Sequence, residues 1–331
     1  MKIGILKAFR NMHKHIIKAC EELKVDYVLI DLIGDNWLEE IEKCDCDGFI
    51  CRPPSKFQER KSMFDERLYI IKNFLNKPIY PSFDELFIYE NKKMMAYWLK
   101  INKFPHARTN IFYRKEEYFK FLETVKFPIV FKTNIGSTSK GVKIINSVAV
   151  GKSIGNKVFG LTNSKLAPGY TPQRTGKLIS FNAVGCVQKH YAIIQEFIPI
   201  KWEWRMIKIG ESYFGHKKLL NGKFASGSKQ KGWDKPPKEL LLMVKDICDK
   251  GNFYSMDADI FEAEDGKLYV NELQSIFGQS TESLMYIDGK AGRYILKDGE
   301  FIFEEGLYNQ NISFNLRVKH FISILEDLEK R

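Results

Sequence analysis

The 331-residue sequence lacks the features that define three classes of protein. No apolar run approaches the ~20 residues that a membrane-spanning helix needs, and the first residues turn polar too early for a secretory signal. The six cysteines, spread over so long a chain, do not make the disulfide framework of a small secreted domain. We therefore expect a cytoplasmic protein without a membrane span, large enough to bury its own hydrophobic core.

Long basic runs are also absent, although the chain is basic overall. The 52 Lys and Arg residues exceed the 41 Asp and Glu residues, which gives a net charge of +11. This excess is dispersed along the chain without a zinc-finger or RNA-recognition signature, which argues against nucleic acid as a partner. A dispersed positive charge instead favours anionic small molecules, such as nucleotides or acidic metabolites.

Short apolar segments alternate with amphipathic ones over the first 85 residues. Such alternation predicts a parallel sheet joined by right-handed helical crossovers, which is a Rossmann-like α/β domain. A Gly-x-Gly-x-x-Gly fingerprint is missing, so we do not expect a dinucleotide site there. The strands are predicted at Lys2–Phe9, Tyr27–Leu32 and Gly48–Cys51, and the helices at Met12–Leu23, Trp37–Lys43 and Phe64–Leu75.

A boundary between two domains is predicted near residues 81–90. Ser82, followed three residues later by Glu85, is typical of a helix N-cap with an acidic residue at the third helical position. Beyond this point strand-like and helical segments continue up to a last helix at Phe314–Glu329. The segment Gly151–Gly185 is rich in small and polar residues, and we expect a long irregular connection there.

The first candidate site is a polar loop between two predicted strands, Pro128–Lys132 and Val142–Ile145. The loop reads Gly136-Ser137-Thr138-Ser139-Lys140-Gly141, and its glycines and hydroxyl groups would let backbone N–H groups surround phosphate oxygens. Lys132, at the strand end, would add a point charge for the phosphates. Taken alone, a loop of this composition is more often a simple turn.

The second candidate is the apolar segment Ile193–Ile198, together with an acidic residue that follows it. The end of this strand would offer backbone N–H and C=O groups to the edge of an adenine base. Glu203 would accept hydrogen bonds from ribose hydroxyls. A solvated strand residue is the simpler interpretation of Glu203 by itself.

The strongest candidate is a predicted hairpin of residues 256–261 and 267–273. Alternation by two puts Glu272 and Gln274 on the same face of one strand, and Asp259 lies on the partner strand. Carboxylate and amide oxygens suit Mg²⁺. A polar, solvent-facing hairpin is the alternative, but residue types that are usually buried flank the acids. Burying acids without a cation is costly, which favours the metal site.

Taken together, these motifs resemble the ATP-grasp superfamily over about residues 86–282. The order along the chain is that of the family: a helix-entry lysine, a lysine before a small-residue loop, an adenine hinge, a ribose acid and a pair of metal-binding segments. In type, the chain is similar to glutathione synthetase, D-alanine–D-alanine ligase and ribosomal-protein glutamate ligase. The matching segments are Asn91-Lys92-Lys93-Met94-Met95, Phe127-Pro128-Ile129-Val130-Phe131-Lys132, Gln195-Glu196-Phe197-Ile198, Glu203-Trp204-Arg205, and Asp259 with Glu272-Leu273-Gln274.

The resemblance implies a division of the chain into domains. Residues 1–85 resemble the α/β domain that usually precedes this fold. Residues 86–331 would form the ATP-grasp domain itself, built of two α+β subdomains. The central or lid subdomain would cover about residues 86–195, and the C-terminal, metal-binding subdomain about residues 196–331.

The resemblance also implies ligands and a role for each matching residue. The cofactors would be ATP and Mg²⁺ or Mn²⁺, with two ions per site. Lys92 and Lys132 match the nucleotide lysines, and Glu203 matches the ribose acid. Arg205 and Lys218 fall where relatives carry cations that face the phosphates or a bound acyl group. The remaining matches are Ser137, Thr138, Ser139 and Gly141 in the phosphate loop, Gln195, Glu196, Phe197 and Ile198 in the adenine hinge, and Asp259, Glu272 and Gln274 as metal ligands.

Two residues depart from the family pattern. Gln274 replaces the usual Asn, which keeps the amide oxygen but adds a methylene group. Asp257 stands where several relatives have an arginine, and it is interpreted as either an additional acid near the metals or a structural residue. Asn271 is interpreted as structural. The missing basic charge would come from a nearby lysine, and the candidates are Lys217, Lys218, Lys229 and Lys231.

The activity implied by the resemblance is ligation. ATP-grasp enzymes typically phosphorylate a carboxylate, and an amine then attacks the acylphosphate. The substrates would be a small-molecule, peptide or sugar carboxylate and an amine, and a homodimer is compatible with the family. Two alternatives stay open: a phosphotransferase acting on a hydroxyl of a sugar- or inositol-type substrate, and a nucleotide-binding module without turnover.

Overall fold

The computed structural model of the chain describes residues 1–9, 11–55, 57–136, 141–160, 188–221, 224–225, 231–277 and 281–330. Within these ranges, helices pack on a four-stranded parallel sheet at the start and on antiparallel sheets of four and eight strands after it. The fold is therefore α/β followed by α+β, as the sequence predicts. No helix of the described ranges is long and apolar enough to cross a membrane.

The first region is a parallel sheet with helices packed around it, which confirms the predicted architecture. Its strands are β1 (Lys2–Leu6), β2 (Asp26–Ile30), β3 (Gly48–Cys51) and β4 (Ile79–Tyr80), and its helices are α1 (Lys14–Leu23), α2 (Trp37–Lys43), α3 (Gln58–Asn73) and α4 (Phe83–Ile88). The sheet order is β2-β1-β3-β4. Its central strands are buried on both faces, because apolar residues such as Ile3, Ile5 and Phe49 follow one another closely.

Helix α4 begins with the capping pattern that the sequence predicts. The Ser82 hydroxyl accepts the backbone N–H of Glu85 at 3.4 Å, and the Glu85 carboxylate accepts the backbone N–H of Ser82 at 2.7 Å. The second carboxylate oxygen of Glu85 accepts the backbone N–H of Ser255 at 3.0 Å. Glu85 therefore ties the first region to the strand that carries the predicted metal ligands.

The middle region is an antiparallel sheet in the chain segment that contains the predicted phosphate loop. Its elements are α5 (Lys92–Ile101), β5 (Thr109–Phe112), α6 (Lys115–Thr124), β6 (Ile129–Lys132), β7 (Val142–Ile145), α7 (Val148–Phe159) and β8 (Ala192–Glu196). The strand order is β5-β8-β6-β7. Tyr118 and Leu122 of α6 share a buried core with Ile154 and Val158 of α7 and with the sheet.

Helix α7 corrects the prediction of an irregular connection that starts at Gly151. The helix continues to Phe159, because its apolar face, including Ile154, is buried. Gly151 and Gly155 permit close packing: a Cβ at Gly151 would lie 2.7 Å from a leucine side chain of α6. Composition alone assigns such glycines to a loop. Residues 161–185 of the predicted connection lie outside the described residues.

The third region is a large antiparallel sheet that contains the predicted hairpin. Its elements are β9 (Ile200–Ile209), β10 (Ser212–Lys218), β11 (Leu220–Asn221), β12 (Phe224–Ala225), β13 (Lys231–Gly232), α8 (Lys238–Gly251), β14 (Ser255–Ala263), β15 (Leu268–Gln274), β16 (Tyr286–Ile287), β17 (Lys290–Lys297), β18 (Glu300–Glu305) and α9 (Phe314–Glu329). The main order is β15-β14-β9-β10-β17-β16, with β13 beside β10 and β18 beside β17; β11 and β12 pair separately. Strands β16 to β18 were not predicted. The last helix, α9, returns to pack against α1 and the parallel sheet.

Candidate active site

A cleft separates the middle sheet from the edge of the large sheet. Its polar lining comes from Thr109, Lys132 and Gln195 of the middle sheet, Lys92 of α5 and Asn271 of β15. His106, which precedes β5, and apolar side chains of α5, β8 and β15 complete the lining. A few converging polar groups among apolar side chains are typical of small-molecule sites.

The register of β14 and β15 brings the predicted acidic residues together. Asp259 lies opposite Glu272, and Asp257 lies opposite Gln274, so all four belong to one face of the hairpin. The next pair joins residues 260 and 270, which leaves Asn271 without a cross-strand partner. This irregularity is a β-bulge. It gives the side chain of Asn271 a direction different from the one that strict alternation along β15 would give.

Lys132 is linked across the cleft to the large sheet. Its Nζ donates to Asn271 Oδ1 at 2.8 Å, and Asn271 Nδ2 donates to Glu203 Oε2 at 2.8 Å. Burial, together with the charge of Lys92, lowers the pKa of Lys132 to about 8. Asn271, which the sequence suggests is only structural, therefore bridges two predicted nucleotide residues. The bulge that places it there cannot be identified from residue types alone.

Lys92 occupies the same cleft at the start of α5. Its Nζ donates to the backbone carbonyl of Gly136 at 2.9 Å and lies 3.6 Å from Glu272 Oε1. Asn91 caps this helix by accepting the backbone N–H of Met94 at 3.3 Å. The structure thus brings both predicted nucleotide lysines close to the same edge of β15.

Gly136 is held at the entrance of the predicted phosphate loop by a residue that sequence reasoning missed. The carboxylate of Glu90 accepts the backbone N–H of Gly136 at 3.0 Å, and burial raises the pKa of Glu90. At the other end of the loop, Gly141 has a φ of 84°, where a Cβ would lie 2.0 Å from the hydroxyl of Thr133. Ser137, Thr138 and Ser139 lie outside the described residues.

A buried network of alternating charges crosses β10, β9 and β14. Arg205 binds Asp259 through two hydrogen bonds, Nε to Oδ1 and Nη2 to Oδ2, each of 3.0 Å. Lys218 Nζ donates to the same Asp259 carboxylate and to Glu203 Oε1, the latter at 2.5 Å. Burial alone would raise the pKa of Asp259, but Arg205 and Lys218 outweigh burial and hold this pKa below its ordinary range.

Asp257 adds a third carboxylate to this network. It is fully buried, and its Oδ2 lies 3.0 Å from Arg205 Nε. Within the described residues neither of its oxygens accepts a hydrogen bond of good geometry. Burial raises the pKa of Asp257 well above its ordinary value. Two carboxylates of one strand, Asp257 and Asp259, therefore share the Arg205 guanidinium.

The lysines proposed to replace the family arginine have different positions. Lys218 joins the network, whereas Lys217 Nζ pairs with Asp234 Oδ2 at 3.1 Å and lies over an indole ring. Lys231 lies opposite Lys218 in the pairing of β10 with β13, and burial and the charge of Arg205 lower its pKa. Lys229 lies outside the described residues.

The predicted adenine hinge connects β8 to β9. Gln195 is buried in the cleft lining, and its Nε2 donates to the Thr109 hydroxyl at 3.1 Å. The Glu196 side chain accepts the backbone N–H of Arg108 at 2.6 Å, so this carboxylate is already bound to the start of β5. Phe197 and Ile198 follow as half-buried residues. A role of this segment through its backbone groups stays a prediction.

The hairpin carries oxygen donors of the type that a magnesium ion needs. Asp259, Glu272 and Gln274 supply carboxylate and amide oxygens, which is the ligand type that Mg²⁺ prefers. In the part of the chain that the structure describes, no three His, Cys, Asp or Glu side chains would hold a metal by themselves. Mg²⁺ usually takes only a few protein ligands plus substrate phosphates. The donor types therefore fit a metal that arrives with a nucleotide, and Asp259 would exchange its contacts with Arg205 and Lys218 for that metal.

Two lysines, Lys132 of the middle sheet and Lys92 of α5, thus lie in one cleft beside β15, the edge strand of the large sheet that carries Asn271 and Glu272. No protein-family model matches the chain, and no curated protein matches it either.

Solved structures identify the fold. The D-alanine–D-alanine ligase from Bacillus anthracis has a TM-score of 0.59 and 15% identity, with 99% of each chain covered. The N5-carboxyaminoimidazole synthetase from Staphylococcus aureus complexed with ADP has a TM-score of 0.57 and 12% identity, covering 84% of this chain and 71% of that one. A RimK domain ATP-grasp protein from Sphaerobacter thermophilus has a TM-score of 0.53 and 13% identity, covering 82% and 90%. The chain has the ATP-grasp fold, as the sequence resemblance predicts.

Proposed function

We propose that the protein is an ATP- and magnesium-dependent ligase of the cytoplasm that activates a carboxylate as an acylphosphate and joins it to an amine. One observation carries this proposal: in the cleft between two sheets, Lys132 Nζ donates to Asn271 Oδ1 and Lys92 Nζ lies 3.6 Å from Glu272 Oε1, both on β15. Cations and carboxylates in this arrangement suit a triphosphate with its metal. The solved structures of this fold include proteins named as a ligase and as synthetases, which also supports ligation.

The nucleotide would lie along the cleft. Lys92 and Lys132 would bind phosphate oxygens, because both ammonium groups lie at the end of the cleft near residues 136 and 271. The base would lie beside Gln195 and the backbone of residues 196–198, and Glu203 would bind the ribose. Ser137, Thr138, Ser139 and Gly141 would close over the phosphates and exclude water from the acylphosphate.

Asp259, Glu272 and Gln274 would hold the magnesium or manganese ions. When bound, these ions neutralise and polarise the transferring phosphoryl group. Arg205 on β9 and Lys218 on β10 pair with Asp259 in the free protein; once Asp259 binds an ion, they would neutralise charge on the phosphoryl and acyl oxygens. The amine would then attack the acylphosphate carbon, so the new bond forms as phosphate leaves.

The proposal is tested by ADP release from a carboxylate library crossed with an amine library, in the presence of ATP and Mg²⁺. We expect ADP and free phosphate only when both an acid and an amine are present. Glu272→Ala should abolish this release, whereas Asp265→Asn, in the exposed turn of the same hairpin, should leave it unchanged. Transfer of the phosphoryl group to a hydroxyl substrate, without an amine, would contradict the proposal.

A further inference from the structure

Both carboxylate oxygens of Asp259 accept hydrogen bonds from cationic side chains of the protein itself. Arg205 donates Nε to Oδ1 and Nη2 to Oδ2, each at 3.0 Å, and Lys218 Nζ donates to Oδ2 as well. These oxygens can bind a metal ion only if the two cations give up some of these contacts. A buried cation that loses its partner is costly. The other partners of Arg205 and Lys218 therefore determine how readily Asp259 binds a metal.

Each of the two cations has a second carboxylate within reach. Lys218 Nζ donates to Glu203 Oε1 at 2.5 Å, and Arg205 Nε lies 3.0 Å from Asp257 Oδ2. Both of these carboxylates are buried, so water screens their charges little. If Asp259 turned to a metal, Lys218 would keep Glu203 and Arg205 would keep Asp257. Neither cation would then be left without a partner.

The Nε–H group of Arg205 indicates how the exchange would proceed. Nε carries a single hydrogen, and it is donated to Asp259 Oδ1 at 3.0 Å. Asp257 Oδ2 lies at the same distance from Nε, yet within the described ranges neither oxygen of Asp257 accepts a hydrogen bond. A buried acceptor without a donor is unfavourable. Release of Asp259 would therefore give Asp257 the donor that it lacks, without a large movement of Arg205.

The register of the sheet makes Arg205 a diagonal neighbour of Asp257. Asp257 and Asp259 are two residues apart on β14, so they lie on the same face. On β9, Arg205 lies opposite Asp259, and the apolar Ile207 lies opposite Asp257. A long side chain such as that of arginine can reach both the direct and the diagonal position. One guanidinium can therefore serve either carboxylate.

We propose that Asp257 is a positioning residue of the metal site: it accepts the hydrogen bond of Arg205 when Asp259 binds a metal ion, and so keeps Arg205 beside the phosphoryl group. This inference rests on the proposed function, since it requires a nucleotide-bound metal at the hairpin. Asp257 acts here through Arg205 and is not a metal ligand. The residue that departs from the family pattern would thus hold in place a basic charge that it does not itself carry.

Calorimetric titration of the full chain with a nonhydrolysable ATP analogue, with and without Mg²⁺, tests the proposal. The ratio of the two affinities is the gain that the metal provides, and we expect about tenfold for the wild type. Asp257→Asn should bind the analogue without Mg²⁺ as the wild type does, because Asp259 still binds Arg205. Its gain should fall to about threefold or less, because Arg205 has lost its second carboxylate and holds Asp259.

A double variant, Asp257→Asn with Arg205→Met, separates an effect through Arg205 from direct binding of the metal. It removes one positive and one negative charge, so the buried charges stay balanced and we expect the circular dichroism spectrum of the wild type. Asp259 is then no longer held by Arg205, and the gain should return to about tenfold. Asp246→Asn is the matched control: it removes a carboxylate that is 52% exposed on α8 and should leave the gain unchanged.

The possible results of these titrations have distinct meanings. A wild-type gain in Asp257→Asn overturns the inference and leaves the proposed function intact. A gain that stays low in the double variant also overturns it, because Asp257 would then act as a metal ligand. A wild type whose affinity does not respond to Mg²⁺ contradicts the proposed function, and the inference with it.

Discussion

The pKa values of two buried lysines near the cleft, Lys132 and Lys218, are shifted in opposite directions. Lys132 is 9% exposed, donates to the neutral side chain of Asn271, and has its pKa lowered by burial and by Lys92. Lys218 is 5% exposed; burial and Arg205 oppose its charge, yet Asp259 and Glu203 outweigh them and raise its pKa. The charge of Lys218 is therefore balanced within the protein, whereas the charge of Lys132 is free to be balanced by a ligand.

The largest expected effect is a difference in the free energy of unfolding between variants of the two lysines. Lys218→Met removes the partner of two buried carboxylates and should lower the free energy of unfolding by about 3–5 kcal/mol. Lys132→Met removes a charge that burial opposes and should change it by less than about 1 kcal/mol. Urea denaturation of both variants measures the difference. Equal losses would mean that Lys132 also stabilises the fold through its charge.

The contributions of Lys132 and Lys218 to stability should also change in opposite directions as pH rises. The pKa of Lys132 in the folded state lies below its ordinary 10.5, so its contribution to stability rises as pH increases from about 8 to 10.5. The pKa of Lys218 is raised, so its contribution is fully present below 10.5 and is lost at higher pH.

How far the sequence predicts this cleft depends on the distance between its residues along the chain. Alternation within the hairpin is local, so the common face of Asp259 and Glu272 was predictable. The pairing of Asp259 with Arg205 and Lys218 depends on the register of strands 54 and 41 residues away, which residue types do not reveal. Asn271 was interpreted as structural because a bulge, which residue types do not reveal, interrupts the alternation on which the prediction relies.

Outside the cleft, too, local patterns could be predicted from the sequence and features that depend on packing could not. The capping box of Ser82 and Glu85 is a local pattern and was correctly predicted. Helix α7 was missed because Gly151 and Gly155 serve close packing against α6, and packing partners are not visible in composition. Strand β16 has only two residues, whereas β17 and β18 contain apolar runs of three residues, as β6 does, and were overlooked.

We expect the affinity for ATP to depend on the charge of Lys132. Lys132→Met should weaken ATP binding by about tenfold to a hundredfold, because a charge-assisted contact with phosphate is worth about 1.5–3 kcal/mol. Titration calorimetry measures this loss, and Lys132→Arg, which keeps the positive charge, serves as the matched control. An unchanged affinity in the Met variant would remove Lys132 from the nucleotide site.

A smaller expected effect is the uptake of protons when ATP binds. Above pH 8 a fraction of Lys132 is neutral in the free protein, and a bound triphosphate favours its charged form. ATP binding should therefore take up part of a proton in this range, whereas Lys132→Arg should take up less because arginine stays charged. Calorimetry in two buffers of different ionisation heat detects the uptake. Identical uptake by both proteins would assign the proton to another group.

The most direct test of the central claim is the effect of Mg²⁺ on ATP affinity. The account holds that the acidic face of the hairpin and the lysines of the cleft bind the same nucleotide. Titrating ATP into the wild type with and without Mg²⁺ should show about tenfold tighter binding with the metal. Glu272→Ala should lose that gain while it still binds ATP without Mg²⁺. An equal gain in both proteins would contradict the account.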